Sequence, residues 1–344
     1  MTDQASKPAG SARLTELAFA YKNSNTLLTA IDLDLFTHIA AGADRLGPLA
    51  DRVGMDAEIV DRIVTVCKAL DLVEELDGRL RNREDVDRYL VRTEKGFLGD
   101  YFRTSARRDY ATWADLTGHL DGSVADVADH VDYKLLMADP ARARQFTELG
   151  YKGAIGLAYR LTRVFDFARH RRWLDFAGGS GVYSIAACER NPDLRATVMD
   201  QPNVIAVARE YIAAKGLSER IDVATGDFLI GDDYPPGHDL ISFITPLQGY
   251  MPDAVIQVFG NAFAALEPGG EILVIDYMLE NDKTGPLDPA LVSLFSVRGG
   301  RPRGRVNTGT EFRRFLHEAG FEQIDTRWFT PHQLGLVTAR KPGP

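Results

Sequence analysis

The feature that most constrains the fold is a change of pattern after Arg172, where short apolar runs begin to alternate with amphipathic stretches. The runs occupy residues 173–176, 196–199, 221–224, 240–244 and 272–275. Short apolar runs separated by helical patterns are typical of a parallel α/β sheet, and a last pair at 323–328 and 335–339 predicts an antiparallel ending. We therefore predict an α/β domain with a mostly parallel, seven-stranded sheet over residues 171–344.

The chain before this domain is predicted to be helical apart from one hairpin. Residues 1–12 are small and polar, which predicts a disordered tail. A helical pattern runs from Leu14 to Ala41, and further helices are expected at 46–53 and 56–70, the latter with Asp56 as N-cap. The apolar residues predicted to share one face of that helix are Ile59, Ile63, Val66 and Leu70.

A hairpin with Asp77-Gly78 at its turn follows these helices. Helix, turn, helix and hairpin together predict a winged helix within a unit spanning 13–100. Residues 101–170 are expected to form a helical linker that roofs a pocket.

Charge and composition argue against several classes of function. The 344 residues carry a net charge of −9, and the second predicted helix of the winged unit offers no basic face to phosphates. We therefore favour a scaffold or dimerisation role for this unit over DNA binding. No run of 18 apolar residues and no signal-peptide core are present, so a cytoplasmic protein without a membrane span is expected. The two cysteines lie far apart and no histidines pair at metal-ligand spacing, so we expect no metal site.

The strongest chemical signal is the sequence Trp173-Leu-Asp-Phe-Ala-Gly-Gly-Ser-Gly181, in which an apolar strand ends in an acid and a small-residue loop opens a helix. Glycines are required where a backbone approaches a ligand closely or adopts positive φ. The loop is neither GxGxxG nor a phosphate-binding P-loop. A glycine loop alone also fits many tight turns.

The two following strand ends strengthen this signal. Asp200 ends the second run about 20 residues past the loop, where a carboxylate can bind both ribose hydroxyls. Gly226-Asp227-Phe228 follows the third run, where an acid can accept from an adenine amino group and an aromatic ring can stack on the base. The alternative is that Asp200 and Asp227 only cap the helices that follow them. Three consecutive strand ends at one sheet edge favour a nucleoside site.

On these residues the chain resembles the class I methyltransferases of the acetylserotonin and caffeate O-methyltransferase type, common in bacterial secondary metabolism. The matching segments are the glycine motif 174–181, with Ala177 where the family usually has glycine, the ribose motif 199–204, the adenine motif 226–228, and the segments 265–270 and 311–321. The resemblance covers nearly the whole chain. It implies a Rossmann-like domain that binds S-adenosylmethionine (SAM), an N-terminal dimerisation domain, a homodimer and a small-molecule acceptor. The cofactor-binding residues that we predict are Asp175, Gly178, Gly179, Gly181, Asp200, Gln201, Gly226, Asp227, Phe228 and Phe243.

The chain departs from the family at the general base. The resemblance implies a histidine after the fourth strand, but that position falls on Gln248, and the neighbouring aromatic position falls on Tyr250. Glutamine has no useful pKa and cannot act as a base. Three outcomes remain open: an acceptor that needs no strong base, another acting residue with Tyr250 as first candidate, or SAM binding without methyl transfer. A shift of one or two residues in the alignment is the remaining alternative.

Arg298 completes the candidate catalytic set of Gln248, Tyr250 and Arg298. It ends an apolar pattern and begins an arginine-rich run that extends to Arg305, in the segment that lines the acceptor pocket of the family. An arginine there can clamp a carboxylate or phosphate, whereas the alternative is a solvated loop.

Three functions follow from the sequence. The first is a SAM-dependent methyltransferase, with a preference for methylation of an activated carbon over oxygen or nitrogen of a pre-ionised acceptor. The second is a SAM-binding homologue with non-methylating chemistry. The third is a nucleoside-sensing winged-helix regulator, which the acidic charge disfavours.

Overall fold

The computed structural model describes residues 10–124 and 133–343, without the side chains of Arg108 and Arg298. The chain divides after Trp113 into two compact units. Most of the predicted N-terminal tail, residues 1–9, lies outside the described residues, as do residues 125–132 of the predicted helical linker.

The N-terminal unit consists of helices and one hairpin. Its elements are α1 (Ser11–Phe19), α2 (Tyr21–Asp32), α3 (Leu35–Ala40), α4 (Leu46–Val53), α5 (Ala57–Ala69), β1 (Val73–Leu76), β2 (Arg79–Asn82), α6 (Glu84–Leu90) and α7 (Gly99–Ala114). The predicted tail was too long, because α1 begins at Ser11. The single helix predicted from Leu14 to Ala41 is three helices, with breaks at Ala20 and at 33–34. At the second break Asp34 adopts a left-handed φ of 48° that interrupts the helical backbone.

Local signals placed α5 and the hairpin correctly, but the residues predicted to share one face of α5 are not the ones that are fully buried. Asp56 caps α5 by accepting the backbone N–H of Glu58. The core side of the helix carries Val60, Val64 and Cys67, whereas Ile59 is 51% exposed. Both faces of α5 carry apolar residues at helical spacing, so only the packing against neighbouring helices decides which one is buried.

The C-terminal unit is an α/β domain, as predicted. Its elements are α8 (Leu116–Asp121), α9 (Tyr133–Ala138), α10 (Pro140–Val164), β3 (Arg172–Phe176), α11 (Val182–Arg190), β4 (Arg195–Asp200), α12 (Pro202–Ala214), β5 (Ile221–Thr225), β6 (His238–Ile244), α13 (Pro252–Ala265), β7 (Leu266–Leu279), α14 (Leu287–Phe295), β8 (Val297–Arg298), β9 (Arg301–Pro302), β10 (Asn307–Thr308), α15 (Gly309–Glu318), β11 (Glu322–Trp328) and β12 (Leu334–Arg340).

The central sheet has the strand order β11-β12-β7-β6-β3-β4-β5, and the short β10 pairs with β7. Strands β3 to β7 are parallel, whereas β12 runs antiparallel to both β7 and β11. All seven predicted strands and the antiparallel ending are confirmed. The strand order reverses at β3, whose neighbours are β4 and β6, and ligands of such sheets bind at the carboxyl ends of the strands beside this switch.

Helices cover both faces of the sheet. One buried cluster joins α10, α11 and α12 to residues such as Trp173 and Ile275, and the other joins α13 and α15 to residues such as Phe176 and Val274. The apolar strands are therefore buried on both faces, which explains why their sequences read as continuous apolar runs.

Candidate functional site

The glycine loop between β3 and α11 has the backbone that its sequence predicts. Gly179 and Gly181 have φ values of 55° and 72°, in the left-handed region that glycine occupies without strain. A Cβ at Gly178 would lie 2.8 Å from the carbonyl oxygen of Asp175, so this position admits only glycine. A Cβ at Gly179 would meet no atom of the described residues within 4 Å, so this part of the structure leaves open space above the loop. Ala177 also adopts a left-handed φ, of 55°.

Asp175 lies beneath this loop, fully buried at the end of β3. Its carboxylate accepts hydrogen bonds from the hydroxyls of Ser184 (2.7 Å) and Ser242 (3.0 Å). Burial raises the pKa of Asp175 to about 6, against the lowering effect of the two hydroxyls. The structure thus places this carboxylate where it joins β3 to α11 and β6, supporting the loop from below.

Asp200 ends β4 and is 4% exposed. Its carboxylate accepts the backbone N–H of Gly179 at 3.0 Å and that of Gln201 at 2.7 Å, so it is fixed against the glycine loop. The hydroxyl of Tyr133 donates a third hydrogen bond of 2.9 Å. Burial raises the pKa of Asp200, while the two backbone donors and the Tyr133 hydroxyl act in the opposite direction.

Asp227 follows β5 at the same sheet edge. Its carboxylate accepts the backbone N–H of Leu229 at 3.0 Å and lies 2.5 Å from the ammonium of Lys134. Phe228 beside it is 8% exposed and contacts the ring of Tyr250 edge-on, with centroids 5.2 Å apart. The loop, Asp200 and Asp227 therefore lie at one edge of the sheet, and their role in binding a nucleoside stays a prediction.

Two predicted cofactor residues lie in the packing below this region. Phe243 is fully buried among aromatic rings, including those of Phe176 and Phe259. Gly226 is closely packed, because a Cβ there would lie 2.5 Å from Cε at the flexible end of the Met199 side chain. Both residues shape the floor of the region in this structure.

Gln248 lies in a single 3₁₀ turn, Leu247–Gly249, directly after β6. Its side-chain oxygen Oε1 is buried and has no hydrogen-bond partner among the described residues. The turn is held by Asp276 at the end of β7, which accepts the backbone N–H of Leu247 at 2.7 Å and that of Gln248. Gln248 and Tyr250 are thus brought to the same edge of the sheet as Asp200.

Sequence reasoning missed Asp276. It is 2% exposed, and burial raises its pKa to about 7 despite three backbone donors. The available signal was the one that identified Asp175, namely an acid at the end of an apolar run.

The arginine-rich segment lies against the turn that carries Gln248. A Cβ at Gly304 would lie 2.3 Å from the carbonyl carbon of Gly249, so the two backbones are in direct contact. The backbone N–H of Arg305 donates to the carbonyl of Tyr250 at 3.3 Å, and the Arg305 guanidinium pairs with Glu311 at 2.7 Å. The side chain of Arg298 lies outside the described atoms, so its predicted role stays a prediction.

Asn307 is a further residue that the sequence did not single out. It is 1% exposed on β10, and neither its side-chain nitrogen nor its oxygen has a partner among the described residues. It pairs with Met278, two residues beyond Asp276. Buried amides normally have partners, which makes such an amide a candidate for contact with a bound molecule.

No group of three or more metal-ligating side chains occurs among the described residues. Within the same residues, no helix has the length and apolar character that crossing a membrane requires.

Comparison with known proteins assigns both parts of the chain. The O-methyltransferase domain family matches residues 127–322, and the O-methyltransferase dimerisation domain family matches residues 15–91. A relative from Streptomyces sahachiroi, 3-hydroxy-5-methyl-1-naphthoate 3-O-methyltransferase, is 32% identical over 95% of this chain and 94% of its own length. The L-tyrosine C(3)-methyltransferase of Streptomyces lavendulae is 30% identical over 53% of this chain and 50% of its own.

A solved structure, human N-acetylserotonin methyltransferase in complex with SAM, superposes with a TM-score of 0.83. It covers 99% of this chain and 100% of that one at 23% identity, so it shows the shared fold.

Proposed function

Because this chain belongs to the O-methyltransferase family, with both its methyltransferase and its dimerisation domain, we propose that it methylates a small natural-product acceptor without a general-base histidine. It is a SAM-dependent methyltransferase, and SAM is its cofactor. We propose an activated carbon as the preferred acceptor atom. The observation that carries this proposal is Gln248 in the turn that follows β6, a turn fixed by Asp276.

The residues at the sheet edge fit the nucleoside part of SAM. Asp200 presents a buried carboxylate whose orientation is fixed by two backbone donors, as a ligand for a ribose diol requires. Asp227 and Phe228 offer an acceptor for the adenine amino group and an aromatic ring beside it. The open space at Gly179 leaves room for the cofactor above the loop.

When bound, SAM supplies a methyl group on a positively charged sulfonium, so that the acceptor needs only a nucleophilic atom in line with the sulfur–carbon bond. The protein then has to hold the acceptor and exclude water. Gln248 cannot remove a proton, but its Oε1, which has no partner in the part of the chain that the structure describes, can accept a hydrogen bond from the substrate. Enols and electron-rich aromatic carbons react without a strong base, which is why we favour carbon.

The groups around the turn support a polar acceptor. Gln248 and Asn307 each present buried amide atoms without partners among the described residues, and the Nε of Arg305 is in the same state. Leaving such groups unpaired costs about 1–3 kcal/mol each. A substrate that carries both hydrogen-bond donors and hydrogen-bond acceptors near its nucleophilic carbon would pair with these groups.

Methylation of an oxygen or nitrogen that is already ionised is the second candidate. It is favoured by the 32% identity to an enzyme named as a naphthoate O-methyltransferase. A SAM-binding homologue with non-methylating chemistry would share the nucleoside site but would produce no S-adenosylhomocysteine (SAH) through methyl transfer.

We also propose a homodimer formed through the N-terminal unit. The dimerisation family covers 15–91, and α1 and the start of α2 expose the large apolar residues Leu14, Leu17, Phe19 and Tyr21. Leu17→Asp is expected to shift the mass measured by light scattering from that of two chains to that of one. An unchanged mass would contradict this interface.

The proposed reaction is tested with SAM carrying a ¹³C-labelled methyl group and a panel of enols, phenols and aromatic amines. Carbon, oxygen and nitrogen methyl groups have distinct NMR shifts, so one spectrum identifies the acceptor atom. SAH formed in proportion to a C-methyl product supports the proposal. An O-methyl product made at a comparable rate by wild type and Gln248→Ala would refute carbon methylation.

The cofactor site has its own test. Asp200→Ala should weaken SAM binding in calorimetry at least tenfold, or about 1.4 kcal/mol. Asp193→Ala, a change in an exposed carboxylate that pairs with Arg171, is the matched control and should leave the affinity unchanged. Equal affinities for wild type and Asp200→Ala would refute the assignment of Asp200.

A further inference from the structure

Two adjacent residues of α9 hold both carboxylates that the nucleoside site uses. Tyr133 donates to Asp200, and Lys134 pairs with Asp227. We propose that Tyr133 and Lys134 compete with the cofactor for these carboxylates and thereby set its affinity. This inference rests on the nucleoside site proposed above.

The carboxylate of Asp200 has no room for a ribose diol while Tyr133 is in place. One oxygen, Oδ1, accepts both the Tyr133 hydroxyl at 2.9 Å and the N–H of Gln201 at 2.7 Å. The other oxygen, Oδ2, accepts the N–H of Gly179 at 3.0 Å. A carboxylate offers about four acceptor positions. Three are used, and a diol needs two, so the Tyr133 hydroxyl has to leave.

Asp227 is less crowded than Asp200, but one of its oxygens already pairs with a cation. Its Oδ1 accepts the N–H of Leu229 at 3.0 Å, and its Oδ2 lies 2.5 Å from the Lys134 ammonium. An adenine amino group that donates to Oδ2 meets this ammonium at the same oxygen. Oδ2 can accept from both groups, but the adenine amino group then has to share this oxygen with the ammonium, and the half-exposed Lys134 side chain can turn away to relieve this competition.

The replacement of Tyr133 and Lys134 by the cofactor requires movement only at the start of α9, because the end of the helix is anchored. Asn203 of α12 donates to the carbonyls of Met137 at 2.9 Å and Ala138 at 3.0 Å. Met137 is 1% exposed and packs with Val204. The two side chains at the other end can rotate out of the site without loss of these contacts.

Competition of this kind has a defined effect on affinity. The apparent dissociation constant equals the intrinsic constant divided by the fraction of molecules whose carboxylates are free. Removal of the Tyr133 hydroxyl raises that fraction and therefore tightens binding. The expected gain for Tyr133→Phe is about threefold to tenfold, which corresponds to one net hydrogen bond.

The test measures SAH binding by calorimetry on wild type, Tyr133→Phe and Lys134→Met. SAH is used because it lacks the positive sulfonium of SAM. Loss of the Lys134 charge therefore cannot change the affinity by removing a repulsion between the ammonium and the sulfonium. Tyr159→Phe is the matched control, because its hydroxyl donates to Glu189 at 2.6 Å outside the site. We expect tighter binding for the first two variants and no change for the control.

A second readout is thermal. Tyr133→Phe should lower the melting temperature of the protein without ligand. At saturating SAH the melting temperature should stay nearly unchanged, so the increase in melting temperature caused by SAH becomes larger. Weaker or unchanged SAH affinity in both α9 variants would overturn the inference. If Tyr133 and Lys134 instead contacted the bound cofactor, their substitution would remove those contacts and weaken binding.

The Asp200→Ala background separates this inference from the site on which it rests. In that background Tyr133→Phe should have no effect on SAH affinity, because the pair that it disrupts is already broken. An unchanged affinity in Asp200→Ala alone refutes the nucleoside site. A weakened affinity in Asp200→Ala together with no gain in Tyr133→Phe refutes the competition only.

Discussion

Ala177→Gly should stabilise the protein, although glycine usually weakens a fold. Ala177 has a φ of 55°, in the left-handed region that costs a residue with a Cβ about 1–2 kcal/mol. Glycine removes this cost but adds about 0.5–1 kcal/mol of conformational entropy to the unfolded chain. The net gain is therefore on the order of 0.5–1 kcal/mol. It arises at the loop position where the family usually has glycine.

Urea denaturation followed by circular dichroism measures this difference as a shift of the midpoint at constant slope. The matched control is Ala206→Gly, the same chemical change at an exposed position within α12, which should destabilise the protein by about 1 kcal/mol. Opposite signs for the two variants support the reasoning. Destabilisation by Ala177→Gly comparable to that of the control would refute it, because the backbone at 177 would then not be left-handed.

Three further predictions follow from buried groups and close contacts. Because burial raises the pKa of Asp276 to about 7, its contribution to stability is present below the unfolded pKa near 4 and is lost as pH rises through 7. Asp276→Asn should therefore flatten the fall in unfolding free energy between pH 4 and 7, and an unchanged slope would contradict this. Gly304→Ala places a Cβ 2.3 Å from the backbone of Gly249, so the rate of methyl transfer should fall because the turn of Gln248 is displaced. The SAH affinity measured by calorimetry should stay within about twofold of the wild-type value. Equal loss of rate and affinity would argue against a local effect. Burial raises the pKa values of Cys67 and Cys188 to about 11, so both thiols should react with a thiol reagent at pH 8 only after denaturation. Fast labelling of the native protein would contradict their burial.

Some parts of the fold could be predicted because their signals are local. The apolar runs after Arg172 identified the strands, Asp56 identified the start of α5, and Asp77-Gly78 identified the hairpin turn, where both residues have positive φ. The buried face of α5 could not be predicted, because Ile59 and Val60 belong to two apolar faces of equal spacing. The breaks between Leu14 and Ala41 were missed since an amphipathic pattern continues across them.

The candidate site likewise has features that the sequence predicts and features that it does not. Asp200 and Asp227 follow apolar runs, so their position at one sheet edge follows from the parallel order of the strands. The environment of each side chain was not readable from the sequence. Phe243 is buried in the core, Asp175 is bound by two serine hydroxyls, and Asp276 holds the turn of Gln248 from the neighbouring strand β7.

The sequence by itself determined the α/β class, the strand ends that carry the cofactor motifs, and the absence of a histidine at position 248. These features depend on residues close together in the chain, where periodicity and turn chemistry act. Only the tertiary structure decided that Tyr133 and Lys134 lie on Asp200 and Asp227, and that Gly304 lies against the turn of Gln248. Such contacts join residues separated by more than 50 positions, and only the packing of the whole domain brings them together.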